Sequence, residues 1–149
     1  MSIKYEWKRE EVPKNIEVKQ VYAVIFLDDG RILLRVEDEK YKLTGGKPES
    51  TDENYIETIK RECFEELNIE LYDIYYLGYQ LVTEKELKKP YAQVRMIGKL
   101  KSIGKNRKDL DTGKIYKRFL ANLDNVKKYL NYLDDCGNEL IDDAILMAK

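Results

Sequence analysis

Residues 45 to 69, GGKPESTDENYIETIKRECFEELNI, crowd Glu49, Asp52, Glu53, Glu57, Glu62, Glu65 and Glu66 into one short segment behind two glycines. Carboxylates that converge on one point describe a cation site, whereas carboxylates spread around a helix describe a solvated surface. Spacing separates the two cases. Ile56, Ile59, Cys63 and Leu67 recur every three or four residues, which is the period of one helical face and predicts a helix over Asp52 to Leu67. Ser50 followed by Glu53 reads as its capping box, and Asn68 as the left-handed residue that ends it. With Glu62 at zero on the helical wheel, Glu66 falls at roughly 40° and Glu65 at roughly −60°. Three acids therefore share the rim where the helix meets the body of the protein. Like charges three and four residues apart cost about 0.2 to 0.5 kcal/mol each, and acids in the last turn oppose the helix dipole. A hard divalent cation with oxygen ligands would reverse the sign of both effects. The bland alternative is an exposed charged ladder, for which Glu57 and Arg61 are spaced in the favourable order.

The remaining composition narrows the chemistry. The 149 residues contain no histidine, so Ser/His/Asp triads, Cys/His pairs and histidine-bearing zinc motifs are excluded. Acid, base and metal chemistry fall to carboxylates. No GxxxxGK[ST] or GxGxxG loop is present to cradle phosphates. The 27 basic and 28 acidic residues nearly cancel, so no global field argues for nucleic acid or a membrane, and the run KSIGKNRK (101 to 108) reads as a solvated loop. No apolar run is long enough to span a bilayer, and MSIKYEWKREE lacks the apolar core of a signal peptide. Two distant cysteines, Cys63 and Cys136, fit a reducing compartment, so a cytoplasmic protein is expected.

The elements that would hold the acidic helix follow from pattern. Gln20 to Leu27 and Ile32 to Glu37 flank the turn Asp28-Asp29-Gly30, and Tyr41 to Thr44 reads as a short strand. Leu71 to Val82, Tyr91 to Leu100 and Lys114 to Leu120 read as further strands, and helices are expected at Leu123 to Leu133 and Asn138 to Lys149. No linker divides residues 1 to 149, so one mixed α/β domain is expected. The tyrosine-rich YDIYYLGY (72 to 79) is either core or a face for a second copy, as in a homodimer.

Gly46, Glu53 and then Arg61-Glu62-Cys63-Phe64-Glu65-Glu66-Leu67-Asn68-Ile69 resemble the box of the Nudix hydrolases, whose pattern is G, five residues, E, seven residues, REUxEExGU, with U bulky and apolar. Arg61, Glu62, Glu65, Glu66 and Ile69 match, Cys63 stands in for the first U, and residues 41 to 46 are similar to the strand that leads into the box. Two positions depart. Six residues rather than five separate Gly46 from Glu53, either because the loop is longer by one or because Asp52 takes the glutamate's place. Asn68 replaces the glycine, the mildest exchange at a left-handed helix end.

The resemblance implies an α/β/α sandwich with a mixed sheet, the box loop and helix, and closing C-terminal helices. It implies hydrolysis of a diphosphate linkage in a nucleoside diphosphate joined to another group, with Mg²⁺, or Mn²⁺, held by Glu62, Glu65, Glu66 and the Gly45 carbonyl. Arg61 would orient a carboxylate and Glu53 would brace the loop against the helix. Glu62 is the favoured general base, with Asp109 and Asp111, or Glu84 and Glu86, as candidates on later loops. Arg35, Arg95 and Asp111 are the expected substrate contacts, with Lys42, Tyr91 and Arg118 further candidates for phosphate, sugar or base. The longer loop and the missing glycine leave open a second reading, a Nudix-fold module that binds a nucleotide without cleaving it.

Overall fold

Val21, Ala23 and Ile25 face one side of an extended segment and Val24 and Phe26 the other, all at most 5% exposed. A strand apolar on both faces must be covered on both. This is β2 (Glu17–Phe26), the middle of the sheet in the computed structural model, which describes residues 3–109, 112–130 and 135–148. The other elements are β1 (Ile3–Lys8), β3 (Ile32–Glu37), β4 (Lys40–Lys42), β5 (Thr44–Gly46), α1 (Tyr55–Leu67), β6 (Ile69–Glu84), β7 (Tyr91–Ile103), β8 (Lys117–Ala121), α2 (Val126–Tyr129) and α3 (Asp135–Ala148).

The sheet is mixed, in the order β1-β6-β7-β2-β3-β4, with β2 and β7 parallel and the other pairs antiparallel. One edge of β2 is divided: Ile25 and Phe26 pair with β3, while Val21 to Ala23 pair with β5. β8 adds to β3. Ile59, Cys63 and Leu67 of α1 pack with Val21, Ala23, Ile25 and Leu33 on one face. Val126 and Leu130 together with Leu140, Ile141 and Ala144 of α3 pack with Val24, Phe26, Ile32 and Leu34 on the other. The result is the expected α/β/α sandwich.

Several boundaries differ from the sequence reading. α1 begins at Tyr55, not Asp52, and its cap is Asn54, whose side chain accepts from the Glu57 N–H at 3.0 Å. Ser50 lies in the loop before it. β1 is an element the pattern did not announce, paired antiparallel to the far half of β6. The helix expected over Leu123 to Leu133 is helical only at Val126–Tyr129, with residues 131–134 outside the description. α3 starts earlier than expected, at Asp135. Asn68 does take the left-handed conformation, φ 52° and ψ 51°, and its N–H bonds the carbonyls of Cys63 and Phe64. No helix among the described residues is long and apolar enough to cross a membrane.

Candidate active site

The divided edge of β2 is where the chemistry gathers. β5 runs against β2 so closely that a Cβ on Gly45 would lie 2.0 Å from the Val21 carbonyl oxygen, so strand pairing itself demands glycine there. A Cβ on Gly46 would lie 2.6 Å from the Glu62 carboxylate, so the second glycine makes space for an acid of α1. Both glycines are steric requirements of different neighbours.

Arg61 organises the loop between Gly46 and α1. Its Nε and Nη2 donate to Asp52 Oδ1 and Oδ2 at 3.2 and 2.9 Å, Nη2 donates to the Lys47 carbonyl at 3.0 Å, and Nη1 donates to Glu62 Oε1 at 2.8 Å. Glu49 and Glu65 lie 3.4 and 3.6 Å from Nη1. Asp52 also accepts from the Glu49 N–H and the Thr58 hydroxyl. Glu53 is exposed, and no hydrogen bond to it is found among the described residues. The bracing role expected of Glu53 therefore falls to Asp52, the alternative the spacing had left open. The Arg61 guanidinium holds the Asp52 carboxyl down to about 2.

Glu66 is 6% exposed, with its Oε2 2.7 Å from Arg35 Nη1 and its Oε1 accepting from the Gly45 N–H at 3.3 Å. Burial pushes its carboxyl up to about 8, Arg35 pulls the other way, and the negative charges of Glu62 and Asp109 add to the rise. Glu62 is raised too, first by burial and then, against the pull of Arg61, by Glu65 and Asp109. Asp109, buried on a later loop, is close enough for its charge to be felt at both carboxyls. The Asp109 backbone is pinned by Asp109 N–H to Lys114 carbonyl and Gly113 N–H to Asp109 carbonyl bonds of 2.7 and 2.9 Å.

Glu84 and Glu86 are elsewhere. Gly78, Arg95, Tyr22 and Gly45 stand in one row across the sheet, and Glu84 is six residues further along β6, roughly 20 Å away at the usual strand rise. Glu86 lies in the exposed turn beyond it. Asp111 falls outside the described residues.

On the α3 face of the sheet, a cavity of about 420 Å³ opens beside Arg35, lined by Tyr5, Tyr22, Lys42, Gln80, Gln93 and Arg95 among others. Arg95 Nη2 donates to Gln80 and Gln93 at 3.0 and 3.3 Å, and its guanidinium lies over the Tyr22 ring at 4.9 Å. Gln93 in turn donates to Gln20 at 3.1 Å. Arg35 and Arg95, expected to contact substrate, thus line one cavity with Lys42. Arg118 does not: it donates to the Leu67 and Gly104 carbonyls at the end of α1, at 2.8 and 2.6 Å. Tyr91 bonds Glu84 at 3.4 Å near the far edge of the sheet. The tyrosines of YDIYYLGY are engaged inside the chain, with Tyr72, Tyr75 and Tyr76 bonding Asp28, Met147 and Glu10.

Comparison with solved structures gives the arrangement its context. The chain superposes on the Bacillus subtilis pyrophosphohydrolase BsRppH with a TM-score of 0.72 at 21% identity, covering 97% of this chain and 90% of that one. It also matches a Nudix hydrolase from Nitrosomonas europaea, with a TM-score of 0.62, 24% identity and 85% and 87% of the two chains covered. The chain has the Nudix hydrolase fold. A third match is the Nudix domain of Shewanella oneidensis NrtR, solved with ADP ribose, at a TM-score of 0.64 and 18% identity over 91% and 90% of the chains. No protein-family model and no curated protein matches this Nudix-fold chain by sequence.

The carboxylate set can be tested for its fit to a divalent cation. Among the described residues, no three acidic side chains already stand as a ligand cage. Glu62 and Glu65 are engaged by Arg61 and Glu66 by Arg35. The donors are nonetheless of the right kind, all hard oxygens, partly desolvated and mutually repelling, with Gly46 leaving room beside Glu62. The donor chemistry suits such a cation, which would compete with Arg35 and Arg61 for these oxygens.

Proposed function

We propose that the chain is a divalent-cation-dependent Nudix pyrophosphohydrolase that cleaves the diphosphate linkage of a nucleoside diphosphate joined to another group. What supports this most directly is Arg35, which stands 2.7 Å from Glu66 at the acidic helix and also lines a cavity with Lys42 and Arg95. Carboxylates and a phosphate-sized field of cations adjoin, as hydrolysis of a diphosphate requires.

Glu62, Glu65 and Glu66, with the Gly45 carbonyl, would hold Mg²⁺ or Mn²⁺. When bound, such an ion offsets charge on phosphate oxygens and acidifies a water. Glu62 takes the proton of the attacking water as its oxygen bonds phosphorus and the bridging P–O bond breaks, leaving two phosphate products. Asp109 is the second candidate for that proton. Asp52 fixes Arg61, which orients Glu62 and Glu65. Arg35 and Lys42 receive the phosphates. Tyr5, Tyr22, Gln80, Gln93 and Arg95 hold the remaining group, where aromatic faces and paired amides suit a base or sugar. Residues 1 to 149 form one such domain, and two buried, widely separated cysteines accord with a cytoplasmic protein.

The test is pyrophosphate or phosphate release, with and without Mg²⁺ or Mn²⁺, across nucleoside triphosphates, ADP-ribose, nucleotide sugars and dinucleotides. Metal-dependent turnover of one class is expected. A second reading, a nucleotide-binding module without catalysis, draws on the engagement of Glu62, Glu65 and Glu66 by arginines and on the NrtR domain's complex with ADP ribose. Tight, metal-independent binding with no product would favour it.

A further inference from the structure

The guanidinium of Arg35 belongs to two places. Nη1 sits 2.7 Å from Glu66 Oε2 among the carboxylates, yet Arg35 also lines the cavity, and its side chain is only 11% exposed. Its guanidinium carbon lies 4.7 Å from the centroid of the Tyr116 ring, a contact that does not occupy its N–H donors. Its Nε is buried with no hydrogen-bond partner, so one of its donors is unspent.

A second acid stands ready beside it. Glu37 Oε1 is 4.0 Å from Nη1, and Glu37 is already held by Lys114 at 2.9 Å and Lys42 at 3.7 Å. A divalent cation and Arg35 compete for the same Glu66 oxygens. Once the cation takes them, Lys114 still neutralises Glu37, and Arg35 and Lys42, which both line the cavity, are left as a positive surplus of two. That surplus adjoins the cavity. A diphosphate carries negative charge of that size, which this positive surplus answers, and a planar guanidinium binds it through paired N–H donors.

We infer that Arg35 is an exchange element coupling the two sites, a counter-ion for Glu66 while no cation is bound and a ligand for a substrate phosphate once one is. This rests on the metal-dependent reading above. It adds that cation and diphosphate assist each other through one side chain, and coupling of this kind acts equally in both directions.

Calorimetric titration separates the roles, with Mn²⁺ and then methylenediphosphonate, which is not hydrolysed, added to wild type, R35Q and R35K. R35Q without metal is expected to bind Mn²⁺ at least as tightly as wild type, because a competing cation is gone. Loaded with Mn²⁺, it should bind methylenediphosphonate about tenfold more weakly or worse. R35K, which keeps the charge without the fork, should keep its Mn²⁺ affinity and lose part of the diphosphonate affinity, and it carries the comparison if R35Q does not fold. Weakened Mn²⁺ binding with unchanged diphosphonate binding would make Arg35 a mere prop for Glu66 and overturn the inference. Wild type that binds no Mn²⁺ would instead remove the metal reading, a result distinct from any behaviour of the variants.

Discussion

Asp52 grips Arg61 with both carboxylate oxygens, at 3.2 Å to Nε and 2.9 Å to Nη2, and its side chain is only 8% exposed. The Asp52 carboxyl is drawn from its ordinary 3.8 down to about 2, which corresponds to about 2 kcal/mol of folded-state stabilisation. Because the folded value lies below the unfolded one, that stabilisation is complete above the ordinary value and is lost as pH falls toward about 2. D52N is therefore expected to lower the urea midpoint by an amount worth about 2 kcal/mol at neutral pH, with the gap from wild type closing in acid. E53Q should stay within about 0.5 kcal/mol of wild type at every pH, as exposed substitutions do.

The two box glycines should respond differently to one methyl group. G45A drives Cβ into the backbone of Val21 and Tyr22 and is expected to cost about 3 kcal/mol or more, read as a depressed melting temperature. G46A meets only the end of the Glu62 side chain, which can swing away. It should fold with near-normal stability but lose metal-dependent turnover, a separation visible by comparing thermal melts with product release.

Glu65→Gln and Glu66→Gln are each expected to reduce metal-dependent turnover by about 100-fold or more, since each removes a charged oxygen from the ligand set. Full turnover in both variants would show the metal assignment to be wrong.

The helix cap supplies an independent check on α1. N54A should cost about 1 kcal/mol by losing its bond to the Glu57 N–H, while S50A should leave stability within a few tenths.

Which of these features sequence could reveal depended on whether the signal was local. The apolar period of α1, its left-handed end at Asn68 and the rim of Glu62, Glu65 and Glu66 all lie within a few residues and were legible. The start of α1 was not, because Ser50 with Glu53 and Asn54 with Glu57 both satisfy the same capping pattern, and only the bond from the Glu57 N–H to Asn54 separates them. The resemblance of the box could not choose between Asp52 and Glu53 for the same reason. The cavity was half visible: Arg35, Arg95 and Lys42 stood out as cations, but Gln80 and Gln93 are neighbours only through the pairing of β6 with β7, and Tyr22 meets Arg95 only through the parallel pairing of β2 with β7. Cross-strand register is a long-range property with no trace in local spacing. The influence of Asp109 on Glu62 and Glu66 is likewise long-range, through a loop whose return to the end of α1 no periodicity records.

α1 ends without a basic residue of its own in its last turn. Arg107 donates to the Phe64 carbonyl at 2.8 Å and Arg118 to the Leu67 carbonyl, so the negative end of the helix is answered by cations from the stretch of chain that also carries Asp109. Helix end and loop thus lend each other the charges they lack, and neither can detach without stranding polar groups of the other. In hydrogen exchange they should open as one cooperative unit, with the amides at the end of α1 and those around Asp109 sharing a single opening free energy. The acids from the helix and the acid from the loop would then be assembled, or lost, in the same event.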